Sequence, residues 1–210
     1  FEEERMKRST NIKKIIPWQE DEDPYKKVQT NVPKKVKRIA LEPMTPFNVY
    51  LKLQKQFPEA EFVSAGKIVN KMRAVKTEAE VQRIEQAMKY TVEAMRDTVE
   101  EFEEGVTEKE IQALILKIMS DLSGEPSWAL VQFGENSAIP HASSSSKKLK
   151  RNDVVLIDAG TSVNGYFSDI TITTVYGKPS KKFMKIYNIV QEANDKALET
   201  SRTGVPAEEV

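Results

Sequence analysis

The sequence predicts an α+β protein, in which helices and strands occupy separate stretches of the chain. Between residues 77 and 122, two apolar patterns with helical spacing follow one another, and each is opened by a Thr-x-x-Glu capping sequence. Two strand-like segments follow at 153–158 and 166–176. Asn164-Gly165 separates them and is a strong hairpin signal. An antiparallel helix pair followed by a hairpin is the pattern of an α+β fold.

The first part of the chain predicts less regular structure. Residues 1–33 have few periodic apolar positions and an acidic stretch at 20–23, so we expect surface structure there. After it, a short strand around Ile39, a helix opened by Thr45-Pro46 and a strand at Phe62-Val63 form a β-α-β pattern. This pattern is too small to be a domain alone.

The two central helices are the clearest elements in the sequence. Thr77 and Glu80 open the first helix, Gly105 ends it, and Thr107 with Glu110 open the second. We expect the apolar stripe of the first helix to be core, namely Val81, Ile84, Met88, Val92, Met95, Val99 and Phe102. A strand at 129–133, a loop up to His141 and a final helix after Pro179-Ser180 complete the prediction, and residues 207–209 begin another helix.

Composition excludes several classes of function. Lys plus Arg and Asp plus Glu both total 32, so no net field attracts nucleic acid or an anionic membrane. The chain has no cysteine, which excludes disulfides, thiolate zinc sites and cysteine nucleophiles and is compatible with the cytoplasm, where we expect the protein. Its longest apolar runs are far shorter than the roughly 20 residues of a membrane helix. Gly-x-Ser-x-Gly and phosphate-binding glycine loops do not occur.

Two aspartates in the predicted hairpin are the candidate site. Asp158 ends the apolar run 154–157, where an unpaired carboxylate would be costly, and Asp169 lies eleven residues later in the expected partner strand. Two facing carboxylates repel each other unless they share a proton or a metal ion. From the residues alone two interpretations stay open, because paired aspartates in a hairpin are also common as turn formers or capped surface groups.

The amino-acid sequence around these residues resembles the metal-binding hairpin of the prolidase-type, or pita-bread, metallopeptidases. The segments that carry the resemblance are Asp-Val-Val-Leu-Ile-Asp-Ala-Gly at 153–160 and Tyr-Phe-Ser-Asp-Ile-Thr-Ile-Thr at 166–173. Ile-Pro-His at 139–141 resembles the family's substrate-side histidine motif, and residues 72–77 with Glu80 resemble the opening of its catalytic domain. Four landmarks thus occur in the family's order.

The resemblance implies a fold and a division of the chain. Residues 67–210 would be the N-terminal half of a pita-bread catalytic domain, and residues 1–66 would be the C-terminal part of a smaller α/β creatinase-like N-terminal domain. The chain would then be truncated at both ends. Half of a pita-bread sheet would leave an unpaired edge and an uncovered apolar face, so we expect association or aggregation of the isolated chain.

The resemblance also implies the site. Asp158 and Asp169 would be metal ligands, with Asp169 bridging two divalent ions such as cobalt, manganese or zinc, and the ions would activate a hydroxide as the nucleophile. His141 would be the catalytic histidine, hydrogen-bonded to the substrate or its tetrahedral intermediate. The family's remaining ligands, a histidine and two glutamates, are expected outside this chain. The chain alone is therefore predicted to be inactive.

The activity that the resemblance implies is hydrolysis of Xaa-Pro dipeptides, with a dipeptide or short peptide carrying proline at the second position as substrate. A homodimer is expected, without nucleic-acid or membrane partners. A non-catalytic pita-bread binding module and an aminopeptidase P-like enzyme stay open as alternatives. Methionine aminopeptidase is a further rival, although it typically lacks the N-terminal domain that the first 66 residues supply.

Overall fold

A computed structural model describes residues 3–33, 35–140 and 142–210. The chain divides into two compact units, the first ending at Lys76 and the second running from Thr77 to Val210. The predicted domain boundary between residues 66 and 67 stays a prediction. Within the described ranges, every helix is too short or too polar to cross a lipid bilayer.

The first unit contains a parallel strand pair joined through a helix. Strand β1 (Arg38–Leu41) pairs with β2 (Glu61–Ser64) in parallel, with Ile39 opposite Phe62. Between them runs α3 (Phe47–Gln56), and its Tyr50 packs edge-on against the Phe62 ring with the ring centroids 5.2 Å apart. This is the β-α-β pattern that the sequence predicts. The elements of the unit are α1 (Glu3–Ser9), α2 (Pro24–Asn31), β1 (Arg38–Leu41), α3 (Phe47–Gln56), β2 (Glu61–Ser64) and α4 (Gly66–Ala74).

The second unit packs two helices on an antiparallel sheet. Strand β4 (Val154–Gly160) lies between β3 (Trp128–Phe133) and β7 (Ile170–Val175) and is antiparallel to both. Both helices begin with the predicted capping boxes, at Thr77 with Glu80 and at Thr107 with Glu110. The elements are α5 (Glu78–Glu100), α6 (Glu108–Ser123), β3 (Trp128–Phe133), a 3-10 turn (Gly134–Ala138), β4 (Val154–Gly160), β5 (Ser162–Val163), β6 (Tyr166–Phe167), β7 (Ile170–Val175), α7 (Lys181–Thr200) and a 3-10 turn (Ala207–Glu209).

The core of this unit lies between the helix pair and one face of the sheet. Side chains alternate along a strand, so every second residue of β4 points into the core. The buried residues of this core are Ala94, Met95, Ile111, Ile115, Met119, Val131, Phe133, Leu149, Val155, Ile157 and Ala159. The opposite face of β4, which carries Asp158, is only partly covered.

The predicted single hairpin is more complex than expected. Strand β4 does pair with β7, but a separate two-stranded hairpin, β5 with β6, is inserted between them, and Asn164-Gly165 turns this small hairpin. Asp169 therefore lies in the connection between β6 and β7, one residue before the strand in which the sequence places it.

The buried face of α5 also differs from the predicted apolar stripe. Val81, Met88, Val92 and Val99 are exposed to between 36% and 54%. The residues that α5 buries are mainly small, namely Ala87, Thr91, Ala94, Met95 and Thr98. Small side chains let the helix backbone approach the sheet closely, so the prediction of a large-residue core stripe was wrong for those four positions.

Candidate metal centre

Asp158 lies on the sheet face that points away from the helix pair. Its neighbours Ile157 and Ala159 are fully buried in the core, and strand alternation places the intervening Asp158 on the other face, where it is half-buried. Thr171 of β7 is its direct cross-strand partner, and the Thr171 hydroxyl donates a hydrogen bond of 2.5 Å to Asp158 Oδ1. One carboxylate oxygen of Asp158 is thus oriented by its neighbour strand.

Asp169 directly precedes β7, the strand that pairs with β4. Ile170 begins β7 opposite Ala159, and Thr171 follows opposite Asp158. Asp169 is exposed and lies two residues before Thr171, so continued strand alternation puts it on the Asp158 face, diagonal to that residue. The fold therefore carries both aspartates at one end of the β4–β7 pair.

The connection between the aspartates closes tightly on itself. The backbone N–H of Ser168 donates to the Thr161 carbonyl oxygen at 3.0 Å, and Thr161 N–H donates to Ser168 Oγ at 3.1 Å. A Cβ atom on Gly160 would lie 2.1 Å from the Ser168 carbonyl oxygen. Only glycine leaves room for this approach, and the backbone before Asp169 can therefore lie directly against the end of β4.

The side chain of Glu125 stabilises the β5–β6 hairpin through hydrogen bonds. Its carboxylate accepts hydrogen bonds of 2.6 Å from both Ser162 Oγ and the Asn164 N–H. These bonds, the one from Ser162 first, lower the pKa of Glu125 from its ordinary value. The hairpin that separates the two aspartates is thus held at its tip as well as at its base.

His141 lies outside the described residues, but the chain on both sides of it is described. The carboxylate of Glu108, the first residue of α6, is fully buried. It accepts a hydrogen bond of 2.8 Å from Phe133 N–H, where the loop begins, and one of 2.7 Å from Ser145 N–H, where the loop returns. The Asn136 amide and the Ser145 hydroxyl donate to it as well, at 2.9 Å and 2.6 Å. One carboxylate therefore ties both ends of the segment that carries His141.

The protonation of Glu108 follows from these contacts. Burial by itself raises the pKa of this carboxyl, but the hydrogen bonds from Ser145, Phe133 and Asn136 together hold its pKa below the ordinary value of 4.5. Glu108 is thus a buried anion at neutral pH, compensated by four donors. The sequence did not reveal it, because a glutamate in the first turn of a helix already has a simple explanation in the helix dipole.

Two carboxylates on one face fit part of a divalent metal site. Manganese, cobalt and zinc accept carboxylate oxygen ligands, and a two-metal site needs more of them than two residues provide. Across residues 3–33, 35–140 and 142–210, no group of three or more His, Asp or Glu side chains is placed to hold an ion. The described donor set is therefore compatible with a metal centre but does not complete one.

Comparison with protein families identifies the chain. Residues 82–210 match metallopeptidase family M24, and residues 1–75 match the creatinase/prolidase N-terminal domain. The chain belongs to metallopeptidase family M24. The resemblance described from the sequence is confirmed, and so is the α+β fold class of an M24 pita-bread domain preceded by a creatinase-like domain.

Relatives within the M24 family include proteins named as peptidases. A Xaa-Pro dipeptidase of Pyrococcus horikoshii is 34% identical over 177 residues, which cover 83% of this chain and 50% of that protein. A Xaa-Pro dipeptidase of Lactobacillus helveticus is 30% identical over 205 residues, which cover 93% of this chain and 55% of that protein. The chain thus spans about half the length of the curated relatives it matches.

Solved structures that resemble this chain include a prolidase and an X-Pro aminopeptidase. The prolidase from Pyrococcus horikoshii OT3 superposes with a TM-score of 0.79 at 34% identity, covering 82% of this chain and 50% of that one. An X-Pro aminopeptidase from Thermotoga maritima MSB8 superposes with a TM-score of 0.75, also at 34% identity, covering 82% and 49%. Both a dipeptidase and an aminopeptidase are therefore comparably similar to this chain.

Proposed function

We propose that the protein carrying this chain hydrolyses Xaa-Pro dipeptides with two divalent metal ions, of cobalt, manganese or zinc. The observation that supports the proposal is that Asp158 lies on β4 and Asp169 directly precedes its partner strand β7, in a chain of the M24 family. Relatives named Xaa-Pro dipeptidase support the substrate class.

The residues of this chain have distinct roles in the proposal. Asp158 and Asp169 would hold the ions, and Thr171 fixes the orientation of the Asp158 carboxylate. The ions, when bound, would supply an activated water and polarise the scissile carbonyl. His141 would hydrogen-bond the substrate, and Glu108 would hold the loop on which it lies. The remaining ligands, a histidine and two glutamates, would come from residues beyond this chain, and the 210 residues alone would be inactive.

The first experiment measures intact mass, metal content and hydrolysis of Met-Pro on the purified full-length protein. We expect about two metal ions per chain and cleavage. Asp169→Asn should abolish both, because an amide is a poor replacement for a bridging carboxylate. Asp121→Asn changes an exposed aspartate on α6 that accepts a hydrogen bond from Lys117, and it should change neither. Metal-free protein without activity would refute the proposal and favour a non-catalytic binding module.

An aminopeptidase P-like activity is the second candidate, favoured by the similarity to the Thermotoga maritima X-Pro aminopeptidase. The two activities differ in the length of the substrate. Comparing Met-Pro with a longer Met-Pro-Xaa peptide separates them, because a dipeptidase should prefer the first and an aminopeptidase the second.

We also propose a homodimer, which light scattering of the same preparation tests.

A further inference from the structure

A buried cluster of hydroxyl groups lies beneath the connection between the two aspartates. It consists of Thr91 in α5 together with Thr161 and Ser168, which stand at the two ends of the small hairpin. Thr91 and Thr161 are fully buried, and Ser168 is 3% exposed. Thr91 Oγ1 and Ser168 Oγ are 2.8 Å apart although 77 residues separate them in the sequence. A side chain of the long helix thus reaches the base of the hairpin.

The hydrogen bonds of Ser168 can all be accounted for. Its hydroxyl oxygen accepts from Thr161 N–H at 3.1 Å, and the hydroxyl can donate to the Thr161 carbonyl oxygen at 3.2 Å. With Thr91 as a second donor, Ser168 Oγ uses its full capacity of one donated and two accepted bonds. In the alternative assignment, Thr91 donates to Ala87 O at 3.2 Å and Ser168 donates to Thr91. Either way the two hydroxyls share one hydrogen bond.

This contact acts on the residue that precedes Asp169. Ser168 is buried and Asp169 is exposed, so the backbone here turns one side chain toward α5 and the next toward the opposite, open side. Gly160 permits the close approach, but it provides no side chain to hold Ser168 in place. The Thr91 hydroxyl forms the hydrogen bond that links Ser168 itself to α5, and the Tyr166 hydroxyl links β6 to Glu80 of the same helix at 2.6 Å.

Thr98 provides an internal comparison on the same helix. It lies two turns after Thr91 and is also fully buried, yet its hydroxyl has no hydrogen-bond partner among the described residues. A buried threonine on this face of α5 therefore does not by itself make such a contact. The hydroxyl of Thr91 is specifically engaged with the connection between the aspartates.

We propose that Thr91 is a positioning residue for the metal centre. Its hydroxyl holds Ser168, and Ser168 in turn fixes the backbone that presents Asp169 to a divalent ion. This inference rests on the proposed function, because it takes Asp169 as a metal ligand. Partners that orient a ligand commonly change metal affinity by 10- to 100-fold when they are removed.

The test measures Mn²⁺ binding to the metal-free full-length protein by calorimetry, together with thermal denaturation in the absence of metal. Thr91→Val keeps the shape and removes the hydroxyl, and it should weaken binding of Mn²⁺ by about tenfold. Thr91→Ser keeps the hydroxyl and should bind as the unaltered protein does. Thr98→Val is the matched control, since it removes a buried hydroxyl without a partner, and it should leave affinity unchanged.

Ser168→Ala provides a second variant in case Thr91→Val does not fold. It should lose affinity by at least the same factor, because it also removes the hydrogen bonds between the Ser168 hydroxyl and Thr161. The double variant should bind no more weakly than Ser168→Ala alone, because the contact between Thr91 and Ser168 is already broken in that variant. Unchanged Mn²⁺ affinity in Thr91→Val, with a lowered melting temperature, would overturn the inference and leave the proposed function intact. Absence of Mn²⁺ binding in the unaltered protein would overturn both.

Discussion

At the scale of single residues, Glu108 shows how one buried charge organises a loop. Its carboxylate serves donors from three places in the chain, at Phe133, Asn136 and Ser145. A buried anion is tolerated only with such compensation, because an unpaired charge in a protein interior is strongly destabilising. The hydrogen-bond donors around Glu108 therefore offset the free-energy cost of burying its charge.

Replacing Glu108 should destabilise the protein. Glu108→Ala leaves four donors without their acceptor, and we expect the free energy of unfolding to fall by about 3 kcal/mol. Glu108→Gln should lose less, since one acceptor oxygen remains. Chemical denaturation measures both, and Glu104→Ala, an exposed glutamate in the loop before α6, is the control. Equal stability of Glu108→Ala and Glu104→Ala would contradict this role.

The same residue predicts a dependence of stability on pH. Because the folded-state pKa of Glu108 lies below its ordinary value of 4.5, the unfolded chain takes up the proton first as the pH falls. The stabilisation is complete above about pH 4.5 and is lost as the pH falls through the lower, folded-state pKa. Glu108→Gln should therefore show a smaller loss of stability between neutral and acidic pH than the unaltered protein does.

Gly160 is the second position at which a single residue decides local geometry. Gly160→Ala would place a methyl group against the Ser168 carbonyl and Trp128 Nε1, so we expect a loss of about 3 kcal/mol or more together with weaker metal binding. Gly105→Ala is the comparison. Its Cβ would meet open space and add only strain from a positive φ of 96°, which costs about 1 kcal/mol. Similar losses in both variants would argue against a steric role for Gly160.

At the scale of elements, α5 and α7 show that an apolar pattern with helical spacing does not decide which residues of a helix are buried. The helical period of α5 is evident in the sequence, but the close packing of Ala87, Ala94 and their neighbours rotates the buried face away from the larger residues. Helix α7 has an equally clear amphipathic pattern, and none of its residues is buried. Periodicity therefore predicts that a helix forms, but the size of the facing side chains and the presence of a partner surface decide what is buried.

The open face of α7 predicts self-association of the 210-residue polypeptide. Ile186, Ile189 and Val190 are exposed to more than half of their surface, and such contiguous apolar surface promotes contacts between molecules. Val190→Lys should lower the sedimentation coefficient of the associated species. Asn188→Lys adds the same charge at an exposed polar position of this helix and should have little effect. A monomeric unaltered polypeptide would contradict the prediction.

At the scale of the whole molecule, much of the architecture was readable from the sequence. Both capping boxes, a strand at 129–133, the pairing of the strand predicted at 153–158 with the one predicted at 166–176, and the helix after Ser180 are confirmed in the structure. Helix α4 was missed, because it is only 9 residues long and no side-chain cap marks its start. The inserted β5–β6 hairpin was missed because one strong turn signal was taken to join the two long strands directly.

Only part of the candidate site could be predicted from the sequence. Asp158 and Asp169 are recognisable from the sequence motifs around them, and the roles of both aspartates and of His141 stay predictions. The residues that hold them could not be found from the sequence, because Thr91 and Glu108 lie 77 and 37 positions from their partners Ser168 and Ser145. Contacts over such separations depend on how the helices dock on the sheet, and no local pattern encodes that.

The shared acceptor of Phe133 and Ser145 has a consequence for motion. Their amide hydrogens point at the two oxygens of one Glu108 carboxylate, although the two residues are twelve positions apart in the chain. Withdrawing that carboxylate would expose both amides in a single event. Deuterium would then enter both amides at one common rate, because a single local opening would free them together.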